Sequence, residues 1–201
     1  VGFFTYALTG FLAGLWSTTE RRRAKAEEEI KQRNRALALL NRVIAAASTT
    51  LEPKAVLKTT CRELALAFDV PQAAAALLNE ARTASIVVAE YLAEGRPSTL
   101  QAVIPVEGNP VTQYVVEHKV PLAIANAQHD HRMAAIHELM RQRGTVSLLI
   151  LPLMVRGRGV GTLGLDTIER REFSDEEITL AASAAAAAAQ AMENARLFEA
   201  E

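Results

Sequence analysis

The chain has 201 residues, 22 Lys and Arg against 23 Asp and Glu, and a formal net charge of -1, so it lacks the basic footprint of a nucleic-acid-binding protein. A single cysteine excludes a disulfide framework and any multi-cysteine metal site. That length holds one domain of ordinary size plus extensions, and few aromatics beside abundant alanine favour closely packed helices.

The first sixteen residues, "VGFFTYALTGFLAGLW", carry no charge, and Arg21, Arg22, Arg23 and Lys25 follow almost at once. This is the pattern at the cytoplasmic end of a membrane helix. A full span needs roughly 20 apolar residues, so residues 1–17 are expected to be the end of a transmembrane helix. A buried soluble helix or a partner-binding segment is the alternative.

Residues 18–50 contain neither Pro nor Gly and consist mostly of strong helix formers. Ile30, Leu37, Ile44 and Leu51 recur every seven residues, with Leu40 and Ala47 three places after two of them. The spacing predicts a coiled-coil seam and a parallel homodimer, against a solvated helix with an accidental heptad. Pro53 then opens a second helix with an apolar stripe of Leu57, Cys61, Leu64 and Phe68. On that stripe Cys61 reads as a small buried hydrophobe rather than a nucleophile.

From Val70 to Asp166 the pattern turns to strands and short helices. "AAAALLNE" and "SIVVAEYLAEG" read as antiparallel strands joined near Arg82, and "LQAVIPV" as a third. Pro110 opens the helix "PVTQYVVEHK", "VPLAIAN" is a fourth strand, and Gly144 stops the helix "DHRMAAIHELMRQR". "VSLLILPLMV" and "GVGTLGLD" flank a hairpin loop, "RGRG". Pro152 predicts a bulge or a missing pairing in the first arm. Six strands alternating with helices give an α+β domain with a mostly antiparallel sheet.

Two motifs resemble chemistry. Gly159, Gly161 and Gly164 spell GxGxxG, but a phosphate loop must open directly into a helix, and here the glycines lie in a strand-like run. His129, Asp130, His131 and His137 form a cluster, yet two histidines six apart do not share one helical face. A loop with surface histidines, or a ligand-facing His137, is the reading. No nucleophile constellation stands out.

The closing helix starts at a capping box, Ser174 with Glu177, and a staple, Phe173 with Ile178. Ile178, Ala181, Ala185, Ala188, Met192 and Ala195 then keep a three-four alternation, suited to close helix packing within the chain and across a dimer. Ile30, Leu37, Leu40, Ile44, Ala185, Ala188 and Met192 are the expected dimer-interface residues. No Gly, Asn or Pro stop signal closes the helix, so it is expected to continue.

Together, "PVTQYVVEHKVPLAIANAQHDHR", "LLILPLMVRGRGVGTLGLD" and "FSDEEITLAASAAAAAAQAMENARLF" resemble a bacterial GAF domain. The likeness covers roughly residues 37–198. It implies a six-stranded antiparallel sheet with the long terminal helices packed together on one face and a small-molecule pocket on the other. In the family the ending "ENARLF" runs on into a signalling helix that feeds a histidine kinase, a cyclase or another output module. Expected divisions are the membrane segment at 1–17, a coiled-coil helix at 18–50, a GAF core at 51–173 and a helix at 174–201 leading to an output domain in cis. The resemblance implies a sensory and dimerisation module, not an enzyme, on the cytoplasmic face of a bacterial inner membrane, with the isolated core soluble.

Departures from the family's subgroups leave the ligand and any cofactor unassigned. The Asn-Lys pair of cyclic-nucleotide-binding members is absent, Cys61 is misplaced for a bilin, and methionine sulfoxide reductases use several cysteines. Haem-binding members use a histidine, which leaves His137 or His118. By analogy of position the pocket would draw on Tyr91, Tyr114, Ile124, Asn126, His137, Met140 and Ser147. A structural relay without ligand is the second reading, and a small-molecule redox enzyme the third.

Overall fold

The computed structural model describes residues 20–45, apart from 22, 28, 29, 32, 35 and 36, and residues 52–199. The expected membrane segment at 1–17 and the heptad positions Ala47 and Leu51 lie outside them. Among the described residues no helix is long and apolar enough to cross a membrane. The chain divides into a unit of residues 1–38 and a compact unit of residues 39–201.

The compact unit is built on six strands: β1 (Gln72–Leu78), β2 (Ala84–Leu92), β3 (Val103–Pro105), β4 (Leu122–Ile124), β5 (Ser147–Val155) and β6 (Arg158–Thr167). They pair antiparallel in the order β3-β2-β1-β6-β5-β4. Alternation along β5 assigns the two faces. Leu149, Leu151 and Leu153 join one apolar cluster, and Leu148 and Ile150 join another, as the two-residue period of a strand requires.

On the first face lie residues 39–45 (α1), α2 (Pro53–Phe68) and α5 (Asp175–Glu199). The α2 stripe expected from spacing is buried in full, Cys61 included. Burial pushes the Cys61 thiol up to about 12. The α5 cap forms as a reciprocal pair: Glu177 N donates to Ser174 Oγ at 3.2 Å, and Ser174 N donates to Glu177 Oε2 at 2.9 Å.

Ala185, Ala188 and Met192 correct one expectation. They are buried in this chain's own core, because alanine lets α5 approach α2 and β5 closely and leaves no surface there for a second copy. Leu40 also packs against that core. In α1 the buried residues are Leu39 (1% exposed) and Val43 (0%), four apart, whereas Ile44 is exposed. Ile30 and Leu37, in the other unit, are exposed as well.

The second face carries α3 (Pro110–His118), a 3-10 turn (His131–Ile136) and α4 (His137–Arg143). The Asn109 side chain caps α3 by accepting from Thr112 N at 3.2 Å, and Gly144 ends α4 at φ 62°. The single helix expected before Gly144 is thus two pieces, joined at Ile136.

The glycine motif is strand, not phosphate loop: Gly159, Gly161 and Gly164 all lie in β6. Arg156 and Gly157, at φ 48° and 75°, form the tight turn between β5 and β6, with both central residues left-handed as a two-residue hairpin prefers. Register shifts between Leu153 and Met154, one residue past Pro152, and β4 stops pairing with β5 at Ile150. At Gly161 an added Cβ would lie 2.1 Å from the Ala76 carbonyl oxygen, which is why that position carries no side chain.

Candidate functional site: a buried polar network beside an alanine-glycine floor

Gln72 pairs with Asp166 across β1 and β6, and alternation turns both side chains toward the second face. Around them the chain gathers Arg96 and Thr99 from the loop after β2, Glu90 from β2, and Arg143 and Thr145 from the end of α4. Arg143 and Asp166 are both buried and form an ion pair, Nη2 to Oδ2 at 2.9 Å. Thr145 Oγ1 donates to the same Asp166 oxygen at 3.0 Å. Arg143 Nη1 donates to Thr99 Oγ1 at 3.0 Å, and Thr99 donates to Glu90 Oε2 through its backbone N (3.0 Å) and its hydroxyl (3.2 Å). The Arg143 carbonyl, one of the last of α4, accepts from Gln72 Nε2 at 3.2 Å and from Arg96 Nη2.

The network is incompletely satisfied. Arg143 Nε and Nη2, Arg96 Nε and Gln72 Oε1 are buried without a hydrogen bond. The ion pair brings Nη2 close to Asp166 but out of line for an N–H bond. A buried donor without a partner costs about 1–3 kcal/mol, so these atoms need an explanation. Burial pushes the Asp166 carboxyl above the usual range, although Arg143, Thr145 and Arg96 act to lower it.

Beside the network the sheet carries only small residues. Ala74 and Gly164 pair at the centre of the sheet and yet are only half-buried. At Gly164 an added Cβ would stand 3.3 Å from Asp166 Oδ1 and 3.4 Å from Leu148 Cδ1. Small residues at the middle of a six-stranded sheet leave its floor partly open to solvent between these neighbours. The adjoining half of this face is filled by apolar packing, with Ile124, Met133, Met140, Leu148 and Ile150 in one cluster.

The residues expected to line a pocket do not converge. Ile124 and Met140 belong to that packed cluster, where they fill space. Tyr91 corrects the expectation, because alternation along β2 places it against the core of the first face. Tyr114 is exposed on α3 and stacks on His118 with ring centroids 4.5 Å apart. Asn126 is exposed and accepts from His129 Nδ1 at 3.1 Å. His137 is half-buried and donates from Nε2 to the Asp130 carbonyl at 3.2 Å. Ser147 is occupied as a brace: its hydroxyl donates to the Ala125 carbonyl at 2.8 Å and accepts from Arg171 N at 2.8 Å. Arg132 clamps Asp130 and holds that carboxyl down to about 2, so the histidine-rich loop is a braced turn. A separate groove of about 540 Å³ at the end of α2, lined by Leu66, Asp69, Tyr91, Ile168 and Arg170 among others, includes no member of the network.

Sequence reasoning missed Gln72, Arg96, Arg143 and Asp166, which stand on four segments far apart in the chain. One usable signal existed: Gln72 is the single polar residue of the otherwise apolar strand "QAAAALL", and Asp166 is the one acid of "GVGTLGLD".

A curled antiparallel sheet with helices on both faces and a buried polar network at its centre defines a small α+β domain. The GAF domain family model matches residues 52–192, and the chain belongs to that family. Among solved structures, the phycocyanobilin-bound GAF domain of a cyanobacterial phytochrome superposes with TM-score 0.70 at 18% identity, covering 83% of this chain and 98% of that one. The GAF domain of a phosphoenolpyruvate-protein phosphotransferase from Coxiella burnetii gives 0.69 at 17%, covering 83% and 97%. Free methionine-R-sulfoxide reductase from Neisseria meningitidis, in complex with its substrate, gives 0.66 at 15%, covering 81% and 91%. No curated protein sequence matches the chain.

Proposed function

We propose that this chain is the sensory and dimerisation module of a signal-transduction protein, binding a small ligand over Ala74 and Gly164 and passing the event through its terminal helices. The observation that carries this reading is the buried, incompletely satisfied network beside a floor of small residues. A solved structure of the same fold is a phycocyanobilin-bound GAF domain, which supports ligand binding in general terms. From Asp166 the chain leads directly toward α5. Thr167 Oγ1 donates to the Glu169 carbonyl at 2.6 Å, the Ser147 hydroxyl accepts from Arg171 N, and Arg171 pairs with Glu177 in the first turn of α5. A ligand that favours one arrangement of this segment would shift the population of α5 states, provided its affinity for the two differs.

In this reading residues 1–17 end a membrane anchor at the cytoplasmic face, residues 18–50 form the coiled-coil entry, residues 51–173 the core, and residues 174–201 the exit to an output domain such as a histidine kinase, all within a homodimer. The module itself is regulatory rather than catalytic. Against a redox enzyme stands Cys61, the one thiol, buried and pushed up to about 12, far from the thiolate that such chemistry needs. The ligand-free relay is favoured by a different observation, the apolar packing that already fills the β4 and β5 half of the second face.

Thermal denaturation of the full chain against nucleotides, tetrapyrroles, amino acids, carboxylates and inorganic anions separates the two. A ligand that binds only the native state adds about 2.7 kcal/mol of stability at one hundred times its Kd. A rise in Tm from any class supports sensing; a cooperatively melting protein indifferent to every class supports the relay.

A further inference from the structure

The unsatisfied atoms of Arg143 have a shape. Nε and Nη2 form one edge of a guanidinium, and their N–H bonds run parallel, which is the edge that grips a carboxylate with two hydrogen bonds. Both nitrogens are buried and neither donates a hydrogen bond. Asp166, the nearest acid, does not fill the edge: its Oδ2 lies 2.9 Å from Nη2 but off the N–H direction, and the same oxygen accepts from Thr145. Its Oδ1 points over Gly164 instead. Solvent reaches the sheet beside these groups, because Ala74 and Gly164 are only half-buried at its centre.

We propose that the recess over Ala74 and Gly164 takes a small carboxylate whose two oxygens occupy the Nε and Nη2 edge of Arg143, moving Asp166 Oδ2 off that edge. This rests on the reading that the recess is the ligand site, and it names the ligand's chemistry. A planar, singly charged acceptor matches one fork. A phosphate fits worse, since a second negative charge would face Asp166 and Glu90, both members of the same network. Arg96, whose guanidinium rests on the Arg143 carbonyl, adds a second positive charge at the rim. Displacing Asp166 also couples occupancy to β6, the strand that leads into α5.

The test follows the arginine Nε–Hε resonances of the full chain, labelled with nitrogen-15, with the Arg143 signal identified by its loss in Arg143→Lys. Acetate, succinate and L-alanine are titrated, with sodium chloride at matched ionic strength and inorganic phosphate as comparisons. The expected result is a saturable shift of the Arg143 signal with at least one carboxylate and none with chloride. Gly164→Ala keeps every charged group but sets a methyl group 3.3 Å from Asp166 Oδ1; it should fold and weaken binding by about tenfold or more. Should Arg143→Lys fail to fold, the Gly164→Ala comparison still decides. A carboxylate that binds without moving Arg143, or equally well to Gly164→Ala, overturns the assignment while sensing stands. So does saturable binding of phosphate alone, or of a nucleotide or tetrapyrrole with no carboxylate. If no class binds, the carboxylate site and the sensory reading fail together.

Discussion

Arg143 and Asp166 show how one buried pair ties local chemistry to stability. The raised Asp166 carboxyl means that the folded protein holds that proton more tightly than the unfolded chain, whose Asp titrates near about 4. More protons bound in the native state means stability that falls as pH rises from about 4 through the raised value. Replacing Arg143 by Met removes the cation and leaves a buried carboxylate alone. The expected loss at neutral pH is about 3 kcal/mol, read from urea denaturation, and it should shrink as acid protonates Asp166. Asp166→Asn imitates the protonated carboxyl and should be much milder; if the two variants lose stability equally at every pH, the pair is not coupled as described. Cys61 offers a second check at this scale. A thiol buried on α2 and pushed up to about 12 should resist alkylation in the native protein and react only as fast as the chain opens, whereas rapid labelling at neutral pH would contradict its burial.

At the scale of elements, glycine positions carry more information than glycine spacing. Gly161 sits between β1 and β5, where Gly161→Ala would drive a Cβ into the Ala76 carbonyl oxygen. The strands must part, at an expected cost of about 3 kcal/mol in denaturant unfolding. Ser174→Ala, which removes half of a reciprocal cap on a long, well-packed helix, should cost only about 1 kcal/mol. An equal effect from the two would mean that the β6 contact is relaxed in solution. These elements were legible in sequence because their signals are local: Pro53, the capping box, Gly144 and the hairpin turn each act within a few residues. The order of strands and the polar network were not, since they depend on which distant segments meet. Gln72 and Arg143 are 71 residues apart and joined by one hydrogen bond, and no periodicity encodes that meeting. Tyr91 differs for another reason: it is expected in the pocket by analogy of position, which does not fix the face of β2 on which a side chain stands, and it packs against the first-face core.

At the scale of the whole molecule, two sets of apolar residues near the N-terminal side have different work. Leu39 and Val43, four apart, are buried in the core of the compact unit, whereas Ile30, Leu37 and Ile44 recur at seven and are exposed. The seven-residue recurrence is the pattern that a second helix of the same kind would cover, and it is separate from the contacts that hold the domain. The two sets therefore predict opposite phenotypes. Val43→Ala should lower the stability of the domain by about 2 kcal/mol through the cavity it leaves, without changing the molecular mass measured by analytical ultracentrifugation. Joint replacement Ile30→Ser and Leu37→Ser should leave the cooperative unfolding of the compact unit near that of the parent, while halving the mass of a dimeric chain at micromolar concentration. A parent chain that sediments as a monomer throughout, or a dimer indifferent to both serines, would remove the heptad from the interface. Dimerisation would then have to be sought on the outer side of α5, because Ala185, Ala188 and Met192 are already spent on the chain's own core.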